Sequence, residues 1–353
     1  MKNLVLLFKS LSVSFLLLLF QNVVLANGGE GRKSIFDLMN HQEVLDLTLE
    51  TDLAALKADR SDESSYDAKI SFKDQNGKKQ KWQLKVKLRG AFRRVKCSDV
   101  PPLKLNFKKS ELEAMGLAKY DDLKLVPQCI ADDEEAKETL LREYLTYKLY
   151  NEVSPYSFRV QLLRITYKDT ATGEKDKQWA FLIEDAAQLR NRIDAEKIES
   201  TAFNLPIDSF HIAQVRMVAF FQYLIGNADW GIKTGKNLKF LRKKDKLIAV
   251  PYDFDFSGLV NASYALPNTN VGQTKLGQRV YLGFEESATD FHGTTYHLLG
   301  KREKLEETVM QFKWLSYNDR LEMKAYLDGF FEAPEQVKFT GSVAERTILE
   351  TEK

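Results

Sequence analysis

The chain has 353 residues, of which 44% are hydrophobic and 29% are charged, and its formal net charge at pH 7 is +2. This is ordinary globular composition, which argues against global disorder, and the length suffices for one large or two-lobed folded unit. A charge so close to neutral gives no support to nucleic-acid binding, which requires a basic excess. The basic stretches at 78–96 and 242–246 alternate with apolar or acidic residues and are interpreted as solvated strand and turn faces.

Residues 1–26 have the pattern of a secretory signal peptide. Lys2 and Lys9 precede the apolar run Phe15–Phe20, and Val24-Leu25-Ala26 supplies a small-residue cleavage pattern. An uncleaved membrane anchor is the alternative, although the apolar run is short for a full span. Removal of this segment lowers the net charge from +2 to zero, because it contains two lysines and no acidic residue. The sequence therefore predicts an exported protein, periplasmic or secreted and of bacterial type, with no transmembrane segment after signal cleavage.

Cys97 and Cys129 are the two cysteines of the chain. In an exported protein such a pair predicts one disulfide. It would close a loop of about 32 residues and stabilise the fold by roughly 3–4 kcal/mol in the chain-entropy description. Two buried free thiols are the alternative. The four histidines, at 41, 211, 292 and 297, show no ligand spacing, and no zinc site is expected.

The first half of the chain is rich in predicted strands. Residues 27–67 are assigned to an N-terminal extension, in which 34–58 are expected to be helical or irregular. Alternation of apolar and polar residues predicts strands at 68–72, 82–88, 103–107, 158–167 and 178–183. The first two flank Asn76-Gly77, a strong hairpin signal. A helix opens at Asp132-Asp133 and ends before Ser154-Pro155. We therefore assign residues 68–185 to a β-rich N-lobe with one inserted helix.

The second half is predicted to be helical. Ile212–Ile225 is apolar nearly all round, which indicates a buried helix. Further helices are expected at 302–314 and 317–331, the second opened by the capping-box residues Ser316 and Asp319. Residues 186–340 are assigned to a helix-rich C-lobe and 341–353 to a polar tail. The order of elements predicts an α+β fold with two lobes.

The stretch from Phe220 to Gly258 contains most of the candidate catalytic and metal-binding residues. Gly226 breaks an apolar helix and Asn227-Ala228-Asp229 follows, with Asn237 eight residues beyond the aspartate. A hairpin-like segment, 238–250, then leads to Asp253-Phe254-Asp255. Two acidic sites joined by a hairpin and accompanied by an amide suit phosphoryl transfer with Mg²⁺. The alternative is that these residues serve only the turns in which Asn and Asp are common.

Two further side chains fit the same chemistry. A strand lysine, Lys104, and a glutamate on the following helix, Glu143, could together aim an ammonium group at phosphates. A solvated strand lysine is the alternative for Lys104. Arg89-Gly90 and the basic segment Arg93-Arg94-Val95-Lys96 are candidates for phosphate contact. The chain has no GxxxxGK[ST] and no GxGxxG pattern, so a P-loop or Rossmann nucleotide site is not supported.

Taken together, and in this order, several short stretches resemble the spore-coat protein H (CotH) kinase family and, more distantly, HipA-type kinases. They are Arg89-Gly90, the lysine-bearing PPLKLNF at 101–107, the segment 139–150, Phe181-Leu182-Ile183-Glu184, Asn227-Ala228-Asp229, Asn237 and Asp253-Phe254-Asp255. The resemblance covers roughly residues 68–300, and it depends on order and spacing because each motif is short. Ala91-Phe92-Arg93-Arg94 departs from the polar residues common after the family's Arg-Gly pair, and the spacing from Asp229 to Asn237 is longer than in HipA-type kinases.

The resemblance implies a bilobal, atypical protein-kinase-like fold that uses ATP with Mg²⁺ or Mn²⁺. In this reading Lys104 contacts the nucleotide phosphates and pairs with Glu143. Arg89 stabilises phosphate charge, and Glu184 lies at the nucleotide-binding hinge between the lobes. Asp229 is then the catalytic or substrate-orienting acid. The metal ligands implied are Asn237, Asp253 and Asp255.

The expected function is that of an exported, Mg-ATP-dependent phosphotransferase that acts on a hydroxyl of a protein or surface polymer. A pseudokinase-like module that binds a partner or scaffolds the cell envelope is the alternative. A metal-dependent hydrolase using Asp253 and Asp255 is a third possibility, although no histidine or further acid stands at useful spacing.

Overall fold

The computed structural model describes residues 31–332 except 60, 62, 98–99, 130–132, 199–204 and 285–287. The predicted signal peptide at 1–26 and the predicted polar tail at 341–353 lie outside the described residues. Among the described residues, no helix is both long enough and apolar enough to span a bilayer.

Seven strands close into a barrel in the order β1-β2-β3-β4-β5-β7-β6. They are β1 (Val44–Thr51), β2 (Ser65–Lys73), β3 (Lys79–Leu88), β4 (Leu103–Phe107), β5 (Asp122–Pro127), β6 (Val160–Asp169) and β7 (Lys175–Ile183). Strand β1 completes the closure, because it pairs antiparallel with β2 and parallel with β6. The remaining neighbours in the barrel are antiparallel.

Apolar and polar residues alternate along the strands, so that the apolar side chains fill the inside of the barrel and the polar side chains cover its outside. On β3 the residues Trp82, Leu84, Val86 and Leu88 are buried, while the residues between them are lysines and a glutamine. The inward side chains of all seven strands form one apolar core, which includes Leu49, Ile70, Val86, Leu105, Leu125, Ile165 and Leu182. Burying one face of every strand fixes the register, since a slip by one residue would turn the lysines inward.

Ten helices and a small sheet accompany the barrel in the described part of the chain. The helices are α1 (Ile35–Met39), α2 (Leu53–Ala58), α3 (Phe92–Lys96), α4 (Lys109–Ala114), α5 (Asp133–Val153), α6 (Ala186–Arg192), α7 (Ile212–Leu224), α8 (Ala288–Leu299), α9 (Arg302–Met310) and α10 (Tyr317–Phe331). The sheet contains β8 (Glu196–Lys197), β9 (Leu238–Lys243) and β10 (Lys246–Pro251), in the order β10-β9-β8.

The predicted bilobal protein-kinase-like fold with a helix-rich C-lobe is wrong. Residues 34–58, expected to be helical or irregular, contain β1, and this strand closes the barrel by pairing with β6. A second apolar core then crosses the predicted lobe boundary. It joins α5 and the outer faces of β6 and β7 to α7, α9, α10 and the β9–β10 hairpin. The described residues from Lys33 onward accordingly belong to one compact unit.

Several local predictions are confirmed. The hairpin at Asn76-Gly77 joins β2 to β3, and Gly77 has a φ of 73° that suits glycine. Ser316 and Asp319 form the predicted capping box of α10. Cys97 and Cys129 form a disulfide, so the alternative of two free thiols is wrong. It ties the end of α3 to the connection that leads from β5 into α5.

Candidate functional site

The backbone brings three separate loops together at one end of the β9–β10 hairpin. Leu238 at the start of β9 pairs with Pro251 at the end of β10. Asn237 therefore lies beside the residues that follow β10, and its carbonyl accepts a hydrogen bond of 3.1 Å from the N–H of Tyr252. The loop after α7 joins them through a bridge between Asn227 and Ser257. The two acidic sites predicted from the sequence are thus held against one amide.

Unusual backbone conformations mark the same loops. Asn237 has a φ of 53° and Asp253 a φ of 66°, in the left-handed region that side chains with a Cβ rarely adopt. Asn and Asp tolerate this region better than other residues, yet such strain tends to persist where it positions functional groups. Gly226 also has a positive φ, and a Cβ there would lie 1.9 Å from the hydroxyl of Tyr326. The glycine that breaks α7 is therefore required by packing as well as by conformation.

These loops form one wall of a cleft of about 450 Å³. The other walls come from the ends of β3, β5 and β7, from the segment after β3, and from α5. Six of the side chains predicted from the sequence line this cleft: Arg89, Glu143, Asp229, Asn237, Asp253 and Asp255. Its volume lies in the range of about 300–1,000 Å³ that is usual for small-molecule sites.

Three carboxylates meet at the floor of the cleft. Glu143, Asp253 and Asp255 each offer an oxygen, and these oxygens all lie within 4.8 Å of one another. Arg93 donates from Nη2 to Glu143 over 2.5 Å and from Nε to Asp255 over 3.0 Å. The hydroxyl of Tyr264 donates to Asp255 over 3.1 Å. Asp253 differs, because its carboxylate accepts no hydrogen bond from the described residues.

One guanidinium does not neutralise three carboxylates. Burial raises the pKa of Asp253 to about 6, and the neighbouring Asp255 adds to the shift. Burial also raises the pKa of Glu143 above its ordinary value, although Arg93 opposes this. Burial lowers the pKa of Arg93, but Asp255 and Glu143 outweigh it and hold that pKa well above its usual range. The cluster therefore retains a proton that a divalent cation could replace.

The oxygens left open by the protein are those a hard cation takes. Asp253 has both carboxylate oxygens open, and neither Oδ1 of Asp255 nor Oδ1 of Asn237 accepts a hydrogen bond from the described part of the chain. Carboxylate and amide oxygens are the usual ligands of Mg²⁺. The residues present thus fit a divalent metal ion.

Asp229 is held at the rim of the cleft. Lys236 forms an ion pair with its Oδ1. Asn237 donates from Nδ2 both to Asp229 Oδ2, over 3.0 Å, and to the backbone oxygen of Asp229, over 2.6 Å. The Asp229 side chain is 22% exposed, so a ligand in the cleft can reach it. Lys236 was not singled out in the sequence, because it stands among many lysines.

The predicted pair between Lys104 and Glu143 is wrong. Lys104 lies on the outer face of β4, where its ammonium pairs with Asp122 at 2.5 Å, and it does not line the cleft. Glu143 pairs instead with Arg93, which the sequence analysis had treated as a phosphate contact. The reason is the barrel, which turns Lys104 away from α5 and leaves α3 to supply the buried cation.

Glu184, predicted to bind the nucleotide, lies outside the cleft. Its side chain is 0% exposed and accepts hydrogen bonds of 2.8 Å from Arg159 Nε and 2.5 Å from Arg192 Nη2. A carboxylate occupied by two guanidinium groups is a structural ion-pair network, and no surface of it faces a ligand.

Lys124 is a cation beside the cleft that the sequence did not reveal. Its ammonium lies 4.8 Å from the centroid of the Tyr252 ring and 5.4 Å from that of Phe158. Within the described ranges no carboxylate lies at ion-pair distance from it. Burial, together with the positive charge of the nearby Arg89, lowers the pKa of Lys124 to about 8. In the sequence this lysine alternates with Leu123 and Leu125 and looks like any other solvated strand lysine.

A second group of carboxylates lies on the protein surface. Glu138, Asp319 and Glu322 also bring their oxygens within 4.8 Å of one another. Arg142 forms ion pairs with all three, at 2.7, 2.9 and 2.7 Å. Each acid of this group therefore has a cationic partner from the chain.

Comparison with known proteins places the chain in no family. No protein-family model matches it, and no curated protein matches it either.

Proposed function

We propose that this chain is an exported phosphotransferase that moves the terminal phosphoryl group of ATP, with Mg²⁺ or Mn²⁺, to a hydroxyl of a protein or surface polymer. The observation that carries the proposal is the carboxylate of Asp253 beside the amide oxygen of Asn237, neither of which accepts a hydrogen bond from the described residues, in a cleft flanked by Arg89 and Lys124, two cations that pair with no carboxylate among those residues. The disulfide is compatible with export. The resemblance of the cleft-lining stretches to the CotH kinase family points the same way.

The metal would be held by Asp253, Asp255 and Asn237. Once bound, it would neutralise phosphate charge and polarise the phosphoryl group, as it does in other phosphoryl transfers. The protein's own part is to keep the two aspartates close together. Arg93 and Tyr264 achieve this by fixing one oxygen of Asp255 from behind.

The phosphates would lie against Arg89 and Lys124. Arg89 lines the cleft, and the ammonium of Lys124 lies beside it against the ring of Tyr252, which also lines the cleft. Neither side chain has a carboxylate within 4.0 Å in the described part of the chain. Val126, Ile183 and Tyr252 add an apolar wall. A cleft with two cations at one side and an apolar wall at another suits a ligand that has a phosphate chain and a flat base.

Asp229 is placed to orient the acceptor. Its hydrogen bonds to Lys236 and Asn237 fix the carboxylate while leaving part of it exposed. In the proposed reaction the acceptor oxygen attacks the terminal phosphorus, its proton passes to Asp229, and ADP leaves with the electrons of the broken P–O bond. This is the role of a positioned general base.

A second candidate function is nucleotide or partner binding without catalysis. The guanidinium of Arg93 lies between Glu143 and Asp255, where a second metal ion would otherwise be placed. A cluster that supplies its own cation could hold a ligand without turning it over.

The experiment is a thermal-shift and transfer assay on the full chain. ATP with Mg²⁺ at a hundredfold excess over Kd should stabilise the protein by about 2.7 kcal/mol, while ATP or Mg²⁺ alone should do less. Asp253→Asn should lose the metal-dependent shift. Glu322→Gln, which removes an acid from the surface group, should keep it. Labelled ATP then reports transfer to the chain itself or to envelope extract.

The outcomes separate the candidates. A metal-dependent shift with transfer, both lost in Asp253→Asn, supports the phosphotransferase. The same shift with neither transfer nor ATP hydrolysis supports the binding module. Absence of a shift with any nucleotide, or an unchanged shift in Asp253→Asn, overturns the proposed site.

A further inference from the structure

The outer face of strands β2 to β5 is strongly basic. We call it the basic face and define it by its lysines, which are Lys69, Lys73, Lys79, Lys81, Lys85, Lys87, Lys104 and Lys124. Only two acids, Asp67 and Asp122, share the outward positions of these strands, so eight lysines stand against two acids. The whole chain has a net charge of only +2, which means that positive charge is concentrated here.

The register of the strands sets lysines directly against one another. Lys73 faces Lys79 across β2 and β3, and Lys104 faces both Lys87 and Lys124 on its two neighbours. Like charges at directly opposed positions destabilise a sheet. The fold therefore tolerates a repulsion that would be removed if one lysine of each pair were replaced by a neutral residue.

Elsewhere on the same barrel, two of three strand lysines have acidic partners among the described residues. On the side formed by β1, β6 and β7, Lys168 pairs with Glu50 at 2.9 Å and Lys177 with Asp46 at 3.4 Å. On the basic face, six of the eight lysines have no carboxylate within 4.0 Å among the described residues: Lys69, Lys73, Lys79, Lys81, Lys87 and Lys124. An anion from outside the chain would satisfy them.

The lysines of β3 lead to the cleft. Lys79, Lys81, Lys85 and Lys87 occupy outward positions, and Arg89 continues the row because its N–H still donates to Pro102 over 3.0 Å. Outward positions on a strand repeat about every 6.7 Å, so the row from residue 79 to 89 spans roughly 33 Å. Arg89 lines the cleft. Beside the row lies a depression of about 330 Å³, whose charged lining consists of Lys69, Lys85, Lys108, Glu50 and Asp67.

We propose that the basic face binds an extended acidic polypeptide and delivers a neighbouring hydroxyl side chain to the cleft, so that the acceptor is an acidic protein segment. The inference rests on the proposed phosphotransferase function and adds the class of acceptor to it. An extended peptide has the same spacing of alternate side chains as β3. Acids at every second position would therefore meet Lys79, Lys81, Lys85 and Lys87 in register.

Other polyanions fit the face less well. Its outward positions carry no aromatic residue on which bases could stack, unlike sites for single-stranded nucleic acid. Apart from Arg89 at the cleft end of the row, their cations are lysines, which lack the planar fork that favours phosphate groups. Since the barrel is closed, β3 offers no free edge, and recognition depends on side-chain charge alone.

The test is a binding measurement made without nucleotide or metal. The probe is a fluorescein-labelled peptide of five Glu-Ala repeats followed by Gly-Ser-Gly, and its anisotropy is followed with the full chain at two salt concentrations. The test variant carries Lys79→Gln, Lys81→Gln and Lys87→Gln. The matched control carries Lys168→Gln, Lys175→Gln and Lys177→Gln, which removes the same charge from the other side of the barrel.

We expect the test variant to bind the peptide about tenfold more weakly and the control to bind within about twofold of the wild type. The test variant should melt at or above the wild-type temperature, because it loses lysine–lysine repulsion. Binding should also weaken as salt increases. With ATP and Mg²⁺, phosphorylation of the probe serine should show a raised KM and an unchanged kcat in the test variant.

Two results would overturn the inference. One is an equal loss of affinity in both triple variants, which would mean nonspecific attraction. The other is lysine-dependent binding of polyphosphate, single-stranded DNA or anionic lipid vesicles together with no binding of the peptide, which would assign a different partner. Because binding is measured without metal, a failure of Asp253 to support transfer leaves this result independent of the proposed function.

Discussion

Helix α5 contributes one acid to each of two clusters of three carboxylates, and the two clusters differ in how their negative charge is neutralised. Glu138 belongs to the surface group, where Arg142 contacts all three acids. Glu143 belongs to the buried group, where Arg93 contacts two acids and Asp253 pairs with no cation among the described residues. The two groups thus differ in whether every acid has a cationic partner, although each contains three acids.

The pKa directions of Asp253 and Asp319 express this difference, although burial raises the pKa of Glu138 in the surface group as well. Burial raises the pKa of Asp253 to about 6. At the surface, burial also acts to raise the pKa of Asp319, but hydrogen bonds from Ser316 and Arg142 reverse the effect and lower it. Ionised Asp319 therefore stabilises the fold, whereas ionised Asp253 destabilises it until another cation arrives.

The largest expected difference between the groups follows removal of their arginines. Arg93→Met would leave Glu143 and Asp255 buried without a cation, and we expect a loss of about 3–5 kcal/mol in the free energy of unfolding. Arg142→Met should cost about 1–2 kcal/mol, because its partners reach water, which solvates them. Urea denaturation of both variants at pH 7 measures the difference. Equal losses would show that burial does not separate the two groups.

Four of the six predicted residues that line the cleft lie close together along the chain. Asp229, Asn237, Asp253 and Asp255 stand on loops joined by one hairpin, so short-range pairing was enough to bring them together. Lys104 and Glu184 were misplaced because their surroundings depend on barrel closure. Barrel closure pairs Val44 with Leu162, 118 residues further along the chain, and no local sequence pattern predicts this pairing.

The fold was missed for a related reason. Leu45, Leu47 and Leu49 alternate as a strand does, but this segment is followed by the short helix α2 and was interpreted as irregular. Without β1 the remaining strands suggested an open lobe. Arg93 was expected to contact phosphate and Lys124 was given no role, because the burial and ring contacts that set them apart from other cations are not visible in residue type.

The pH dependence of stability offers a second way to sharpen the comparison. Between pH about 4 and 6 the folded state binds more protons at Asp253 than the unfolded chain does, so the free energy of unfolding should fall as pH rises through this window. A loss of roughly 2–3 kcal/mol is expected for this group. Asp319 has the opposite sign, since its lowered pKa gives stability that is lost as pH falls.

Chemical denaturation at pH 4.5 and pH 7, in EDTA, measures this dependence. The difference in the free energy of unfolding between the two pH values should shrink in Asp253→Asn relative to the wild type. Addition of Mg²⁺ at pH 7 should restore stability to the wild type alone. An identical pH dependence in wild type and variant would refute a raised pKa at Asp253.

The smallest expected effects are those of Asp253→Asn and Asp319→Asn on the free energy of unfolding. They have opposite signs, so they distinguish the two carboxylate groups even though each effect is small. At pH 7 without metal, Asp253→Asn removes a charge opposed by Asp255, and we expect a gain of about 1 kcal/mol in the free energy of unfolding. Asp319→Asn removes a charge bonded to Arg142 and to the N–H of Ser316, and we expect a loss of about 1 kcal/mol. Both are isosteric changes from Asp to Asn, so packing differences largely cancel.

Thermal or urea melts of the two variants side by side report these signs. A loss of stability in both would mean that Asp253 has a partner in the folded chain and is an ordinary structural acid. A gain in Asp253→Asn together with loss of its Mg²⁺ response would mean that this aspartate costs the apo protein stability so that a cation can bind. Asp319 already has that cation from within the chain, as Arg142.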